Sequence, residues 1–215
     1  MQRGWPALLL LLFIAQLASA GEFGAGSAVI REINRARHKP AVYANYLEEL
    51  RAHFRGKFLI LPGRVMLQTH EGIAAVNEAI RFLRGARPLA PLADSPGIAM
   101  AAADHVADQA RGAFGHAGSD RSNPGERMNH HGTWRGTWGE DISYGQSNAR
   151  QIVIALIVDD GLPGRKHRNN IFNPAFNFAG AAIGPHARYR TVCNIDFAAR
   201  YTEQTSPARS LFARN

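Results

Sequence analysis

The apolar residues of this chain change their spacing at Asn173-Pro174, and that switch restricts the fold more than any other feature. Upstream they recur every three or four residues. Val29, Ile30, Ile33 and Ala36 share one helical stripe, Tyr43, Leu47 and Leu50 resume it beyond Pro40, and Ile73, Val76, Ile80 and Leu83 make a third, closed by Gly85. Ser95-Pro96 is a capped helix start; its helix runs through Ala101, Ala102, His105 and Asp108 and stops at Gly112. Ser147 is placed to cap a further helix with Ile152, Val153, Leu156 and Ile157 on its apolar side. Between these, Phe54 to Met66 is irregular, with Pro62-Gly63 as a turn. Downstream the spacing becomes two: Ala179 to Ile183 and Tyr189 to Phe197 read as strands joined through Gly184-Pro185. Helices first and antiparallel strands last predict an α/β layered domain and argue against a parallel doubly wound sheet.

Such a domain must be held by its core. The one cysteine, Cys193, sits in an alternating run and reads as a small buried strand residue, so no internal disulfide is available. The N-terminus carries an export pattern: Arg3, an apolar run from Ala7 to Leu17, then Ala18-Ser19-Ala20, which predicts a signal peptide at 1–20 cleaved after Ala20. At about 11 residues the run is shorter than the roughly 20 that span a bilayer, so no transmembrane anchor is expected after cleavage. The expected location is therefore secreted or periplasmic. The expected division is signal peptide, a domain over 21–200 and a polar tail over 201–215. The formal charge of +8 favours anionic partners, but the arginines are scattered and no basic run is interleaved with aromatics, so nucleic acid is not the expected partner.

Four short segments are rich in side chains that carry chemistry. Phe114-Gly115-His116-Ala117-Gly118-Ser119-Asp120 places His116 between glycines just past a helix end. Trp138-Gly139-Glu140-Asp141-Ile142-Ser143-Tyr144-Gly145 sets carboxylates among apolar residues, where burial demands a partner. Asp159-Asp160 follow a helix, where negative charge opposes the helix dipole unless a metal ion, an arginine or a histidine compensates. Gly164 to Ile171 supplies His167 among Arg165, Lys166 and Arg168. Two histidines and carboxylates suit a divalent metal such as zinc with an open water position, although no two of these residues share a local ligand motif.

These segments in this order resemble the CAP family, also called SCP-like, which includes cysteine-rich secretory proteins, antigen 5 and the plant pathogenesis-related 1 proteins. The likeness covers roughly Val29 to Phe197 and is nearest the bacterial branch. It implies a three-layer α-β-α sandwich with a largely antiparallel central sheet and a shallow cleft. It also implies a cleft lined by His116, Glu140, Asp159 and His167, which in several family members hold a divalent metal, often zinc. The family's G-E-N is Gly139-Glu140-Asp141 here, its second acid is the shorter Asp159, and Lys166 precedes His167 where glycine is usual. The stretch from Pro40 to Gly72 has no counterpart in short members.

Each candidate carries a plainer alternative. His116 and His167 are cleft residues or hydrogen-bonded loop anchors. Glu140 is a metal ligand or an acceptor for loop backbone, and Asp159 and Asp160 bind metal or pair with Arg165 or Arg168. Tyr144 either points its hydroxyl into the cleft or packs there; Trp134 and Trp138 pack in the core or stack on a ligand. His105 and Asp108 lie three apart on one helix face and can touch, while His130-His131 and His186 read as loop residues. Two functions follow. The cleft binds a lipid, glycan, peptide or other cell-envelope component outside the cell, or the protein is a metal-dependent hydrolase with Glu140 as general base on metal-bound water.

Overall fold

The computed structural model describes residues 24–63 and 65–204. The expected signal peptide, its expected cleavage site and positions 205–215 of the expected tail lie outside the described residues. In chain order the elements are α1 (24–38), α2 (Pro40–Arg51), three two-residue strands β1 (Phe54–Arg55), β2 (Phe58–Leu59) and β3 (Leu67–Gln68), α3 (Ile73–Gly85), β4 (Ala93–Asp94), α4 (Pro96–Gln109), α5 (Pro124–His131), β5 (Gly132–Tyr144), α6 (Ala149–Val158), α7 (Lys166–Ile171), β6 (Phe178–His186) and β7 (Arg190–Glu203). Among the described residues no helix is long and apolar enough to cross a membrane.

The central sheet has the order β4-β6-β7-β5. Only β4 runs parallel to its neighbour; β6 with β7 and β7 with β5 are antiparallel. Alternation along β7 explains the layers. Cys193, Ile195 and Phe197 join the core formed with α1, α2, α3, α6 and α7, whereas Val192 and Ala198 face α4 and α5. Helices thus cover both faces, and they approach so closely that two glycines are obligatory. A Cβ on Gly26 of α1 would lie 1.9 Å from the Ala181 carbonyl oxygen, and one on Gly180 of β6 would lie 2.2 Å from the Ala99 amide of α4. Gly180→Ala is therefore expected to destabilise by about 3 kcal/mol, measured by urea unfolding, because neither backbone can yield without moving a layer.

Several local expectations are corrected. The helix after Ser147 is capped by Asn148, whose side chain accepts from the Arg150 and Gln151 amides. Gly184-Pro185 lie within β6, paired with Val192 and Thr191, and the reversal is at Ala187-Arg188-Tyr189. Pro185 fits there because β6 ends at that point and needs no further donor. His186 is a buried clamp on that reversal: its Nε2 donates to the Ala113 carbonyl and its Nδ1 accepts from the Arg188 and Tyr189 amides. His130 and His131 form the last turn of α5, with His131 Nε2 donating to Asp104 at 2.7 Å. Strand β7 continues to Glu203 and buries Tyr201, so the first residues of the expected tail belong to the sheet. Cys193 is buried in β7 as expected, where burial pushes its thiol up out of the reactive range.

The Pro40–Gly72 stretch forms α2 and a small antiparallel sheet, β1-β2-β3, beside the main core. Its end docks on the loop after α6: the His70 and Glu71 amides donate to Asp160, and the Gly161 amide donates to Glu71.

Candidate functional site

Strand β5 carries the first half of the site. Glu140 stands directly across from Asp196 on β7, on the face covered by α4 and α5. Its side chain is 2% exposed, and each oxygen has a partner: Oε1 accepts from His116 Nδ1 at 2.7 Å and Oε2 from Arg127 Nη2 at 2.5 Å. Burial acts to raise the Glu140 carboxyl, but the hydrogen bond from His116 and the charge of Arg127 outweigh it and hold the group below its ordinary range. Asp196 behaves oppositely. Full burial, reinforced by the Glu140 charge, raises its carboxyl well above the usual range. Arg127 is delivered by α5, which starts at a capping box of Asn123 and Glu126. Its Nη1 also donates to the His116 and Ser122 carbonyls, which pins the His116 loop from behind.

The second half comes from the turn between α6 and α7. Asp159 ends α6 in the left-handed conformation, at φ 55° and ψ 45°, a region that Asp tolerates better than most residues. That turn swings its carboxylate onto α7, where Oδ2 accepts from the His167 amide at 3.0 Å and Oδ1 from His167 Nδ1 at 2.7 Å. Asp160 accepts from the His70 and Glu71 amides. Both acids at the helix end are thus compensated by backbone amides and one imidazole. Arg165 and Arg168 pair with neither. Arg165 binds Glu71 and Glu78, Arg168 binds Glu78, and the hydrogen bond from Arg165 holds the Glu71 carboxyl down to about 2.

Asn170 couples the halves. It lies one turn from His167 on α7, and its amide donates to Asp141 Oδ1 at 2.7 Å and to the Glu140 carbonyl at 3.3 Å. Asp141 is fully buried on the opposite face of β5 from Glu140, and among the described residues no partner reaches its Oδ2. Burial raises its carboxyl well above the usual range, helped by the charges of Asp159 and Glu140. The folded chain therefore keeps a proton that the unfolded chain releases near pH 4. Stability is complete below that pH and declines as pH rises towards the folded value. Asp141→Asn is expected to remove this share, about 1.4 kcal/mol per pH unit for one proton, seen by comparing unfolding at pH ~5 and ~6.5.

Both histidines therefore have the same chemistry. A carboxylate accepts from Nδ1, so that nitrogen carries a proton, and Nε2 is the ring atom left for another partner. The side chain of His116 is 59% exposed and that of His167 is 19% exposed. Phe114, two residues from His116, is 70% exposed and stacks on Tyr144 at 4.7 Å, with Tyr189 beside them. Tyr144 contributes its ring rather than its hydroxyl, which donates to Gln109 and accepts from the Gly115 amide. Trp134 and Trp138 pack edge to face against the α4–α5 side, and Trp134 donates to the Gly125 carbonyl. His105 and Asp108 do not touch: His105 is buried against Gln109 and the Gly115 carbonyl, while Asp108 accepts from Ser119.

Of the four residues the resemblance implies, the two imidazoles are the ones that keep a donor atom, Nε2, for an ion, and a carboxylate on Nδ1 is the usual support of a metal-binding histidine. Glu140 and Asp159 are spent on Nδ1 atoms, Arg127 and an amide, so they orient the imidazoles rather than join them as ligands. Among the described residues no group of three or more His, Cys, Asp or Glu is placed to hold an ion. Glu140 is equally ill suited as a general base, since both oxygens are occupied and its affinity for a proton is lowered. Two surface hollows of about 600 and 700 Å³ lie elsewhere, along α1 and α2, and none of these four residues lines either.

The model of the cysteine-rich secretory protein family, CAP, matches residues 31–195. The chain belongs to the CAP family. Among solved structures, this CAP chain is similar to a cysteine-rich secretory protein from Staphylococcus aureus subsp. aureus Mu50, at 15% identity and a TM-score of 0.37. The likeness covers 60% of this chain and 38% of that one. No curated protein matches by sequence. Sequence reasoning about the CAP motifs missed Arg127, Asp196 and Asn170, which order the site. The Asn123-Pro124-Gly125-Glu126 capping box was the available signal for α5, and hence for Arg127.

Proposed function

We propose that this CAP protein acts outside the cytoplasm as a binding protein, and that the surface presenting His116 and His167 holds a glycan or peptide of the cell envelope. The observation that carries the reading is the exposed His116 ring fixed by a buried carboxylate. A side chain so exposed is ordinarily free to rotate, and here its entropy has been removed in advance by Glu140 and Arg127. Nε2 of each imidazole then accepts from a ligand hydroxyl or amide, or donates to a ligand oxygen once protonated. The exposed faces of Phe114 and Tyr189 supply flat surfaces for a sugar ring or a peptide plane. The export pattern at the N-terminus supports the compartment.

Muropeptides released from peptidoglycan carry both glycan and peptide and serve as the probe. Isothermal titration is expected to show binding that weakens at least tenfold in His116→Ala, assayed well below a melting temperature that falls because buried Glu140 loses one donor. Binding is expected to persist in EDTA. EDTA-sensitive cleavage of the muropeptide would overturn the reading in favour of a metal-dependent hydrolase, and undiminished binding by His116→Ala would remove the site from it.

A further inference from the structure

The small sheet between α2 and α3 exposes apolar side chains that the fold has no use for. Phe58, Ile60, Val65, Met66 and Leu67 are 38%, 46%, 93%, 55% and 54% exposed. Solitary exposed apolar residues are ordinary, but Ile60, Val65 and Met66 all lie in the loop joining β2 to β3, flanked by Phe58 and Leu67 on opposite faces of the sheet, and an apolar loop tip of this kind marks a contact surface. The base of the element is fixed to the body. Phe54 is buried in the main core, Leu59 packs against it, and the Ile73 amide donates to the Gly56 carbonyl. A Cβ on Gly72 would stand 2.5 Å from that same carbonyl, so the base is closely packed. A firmly held base under an apolar tip is a surface prepared for a partner.

Charge selects the partner. Arg51, Arg55 and Lys57 are exposed at the base of the patch, and the sequence holds no acid between residues 50 and 70. The first acid beyond, Glu71, is consumed by Arg165. A second copy of the chain seated on the same patch would bring Arg55 and Lys57 towards their own counterparts, which opposes a two-fold contact. Apolar side chains ringed by cations match instead the boundary of an anionic bilayer, where headgroups pair with the cations and the tip enters the acyl margin. We propose that the β1-β2-β3 element docks this protein on membranes containing anionic lipid, shallowly and reversibly, independently of the His116 and His167 surface.

The test uses the chain from Gly21 onward, which contains every described residue and removes the apolar leader that would bind vesicles itself. Co-sedimentation with vesicles of phosphatidylglycerol and phosphatidylcholine at 1:3 is compared with pure phosphatidylcholine. The expected result is binding at least tenfold stronger to the anionic vesicles, reduced by added salt. Val65→Asp/Met66→Asp and, separately, Arg55→Glu/Lys57→Glu are each expected to lower it at least tenfold. All four side chains are exposed, so melting temperatures should match the parent's and folding is controlled. Equal retention of parent and variants, or no retention by anionic vesicles, overturns the proposal. So does a dimer in light scattering that Val65→Asp dissociates, which would make the patch a contact between copies.

Discussion

Arg127→Met is expected to destabilise the protein by about 3–5 kcal/mol, measured by urea unfolding, the range for removing one partner of a buried ion pair. Arg127 and Glu140 are each 2% exposed at their side chains and 2.5 Å apart. Without the guanidinium, Glu140 is an ionised carboxylate in the interior with His116 as its remaining side-chain partner among the described residues. The chain avoids part of that cost by taking up a proton, so the variant should lose least at acidic pH. The double variant Arg127→Met/Glu140→Gln is expected to recover more than half the loss, because the charge that needed the partner is gone. A double variant as unstable as the single one would mean that Arg127 matters for packing and for the His116 and Ser122 carbonyls, not for the pair.

Arg37→Met is expected to cost at least about 3 kcal/mol, by a different route. Arg37 is 1% exposed and among the described residues binds carbonyls only: Ala90 through Nε, Ile171 and Asn173 through Nη1, and Phe176 through Nη2. Burial lowers its affinity for a proton, and the ring of carbonyls is what keeps the charge tolerable. Methionine of similar length fills the space but leaves those carbonyls without donors. Ile171 ends α7, so the loss also loosens the helix that carries His167. Hydrogen exchange is the discriminating measurement: amides of α7 should exchange faster in this variant by a larger factor than those of α4.

The layering was legible because it depends on period. The helical stripes and the alternating run through Cys193 predict the two faces of the sheet and the burial of Cys193. The strand across Glu140 was not legible: Trp134 to Tyr144 mixes glycine, charge and aromatics, and only pairing with β7 makes it a strand. Motif order singles out His116, Glu140, Asp159 and His167, but their pairing could not be read from it. Which imidazole meets which carboxylate is decided by Asp159 turning left-handed and by Glu140 facing α5, and both are tertiary outcomes. Arg165 and Arg168 show the same limit. They stand beside Asp159 in sequence yet bind Glu71 and Glu78, which arrive from about ninety residues away.

The central claim is that two carboxylate-held imidazoles form one ligand surface, coupled through Asn170. Nitrogen-15 NMR of the imidazole rings tests it most directly. At neutral pH both His116 and His167 are predicted to be protonated at Nδ1, and titration with muropeptides is predicted to shift both Nε2 signals with a single midpoint. A ring without a proton on Nδ1, or a ligand that moves one ring while leaving the other untouched at saturation, would contradict the account.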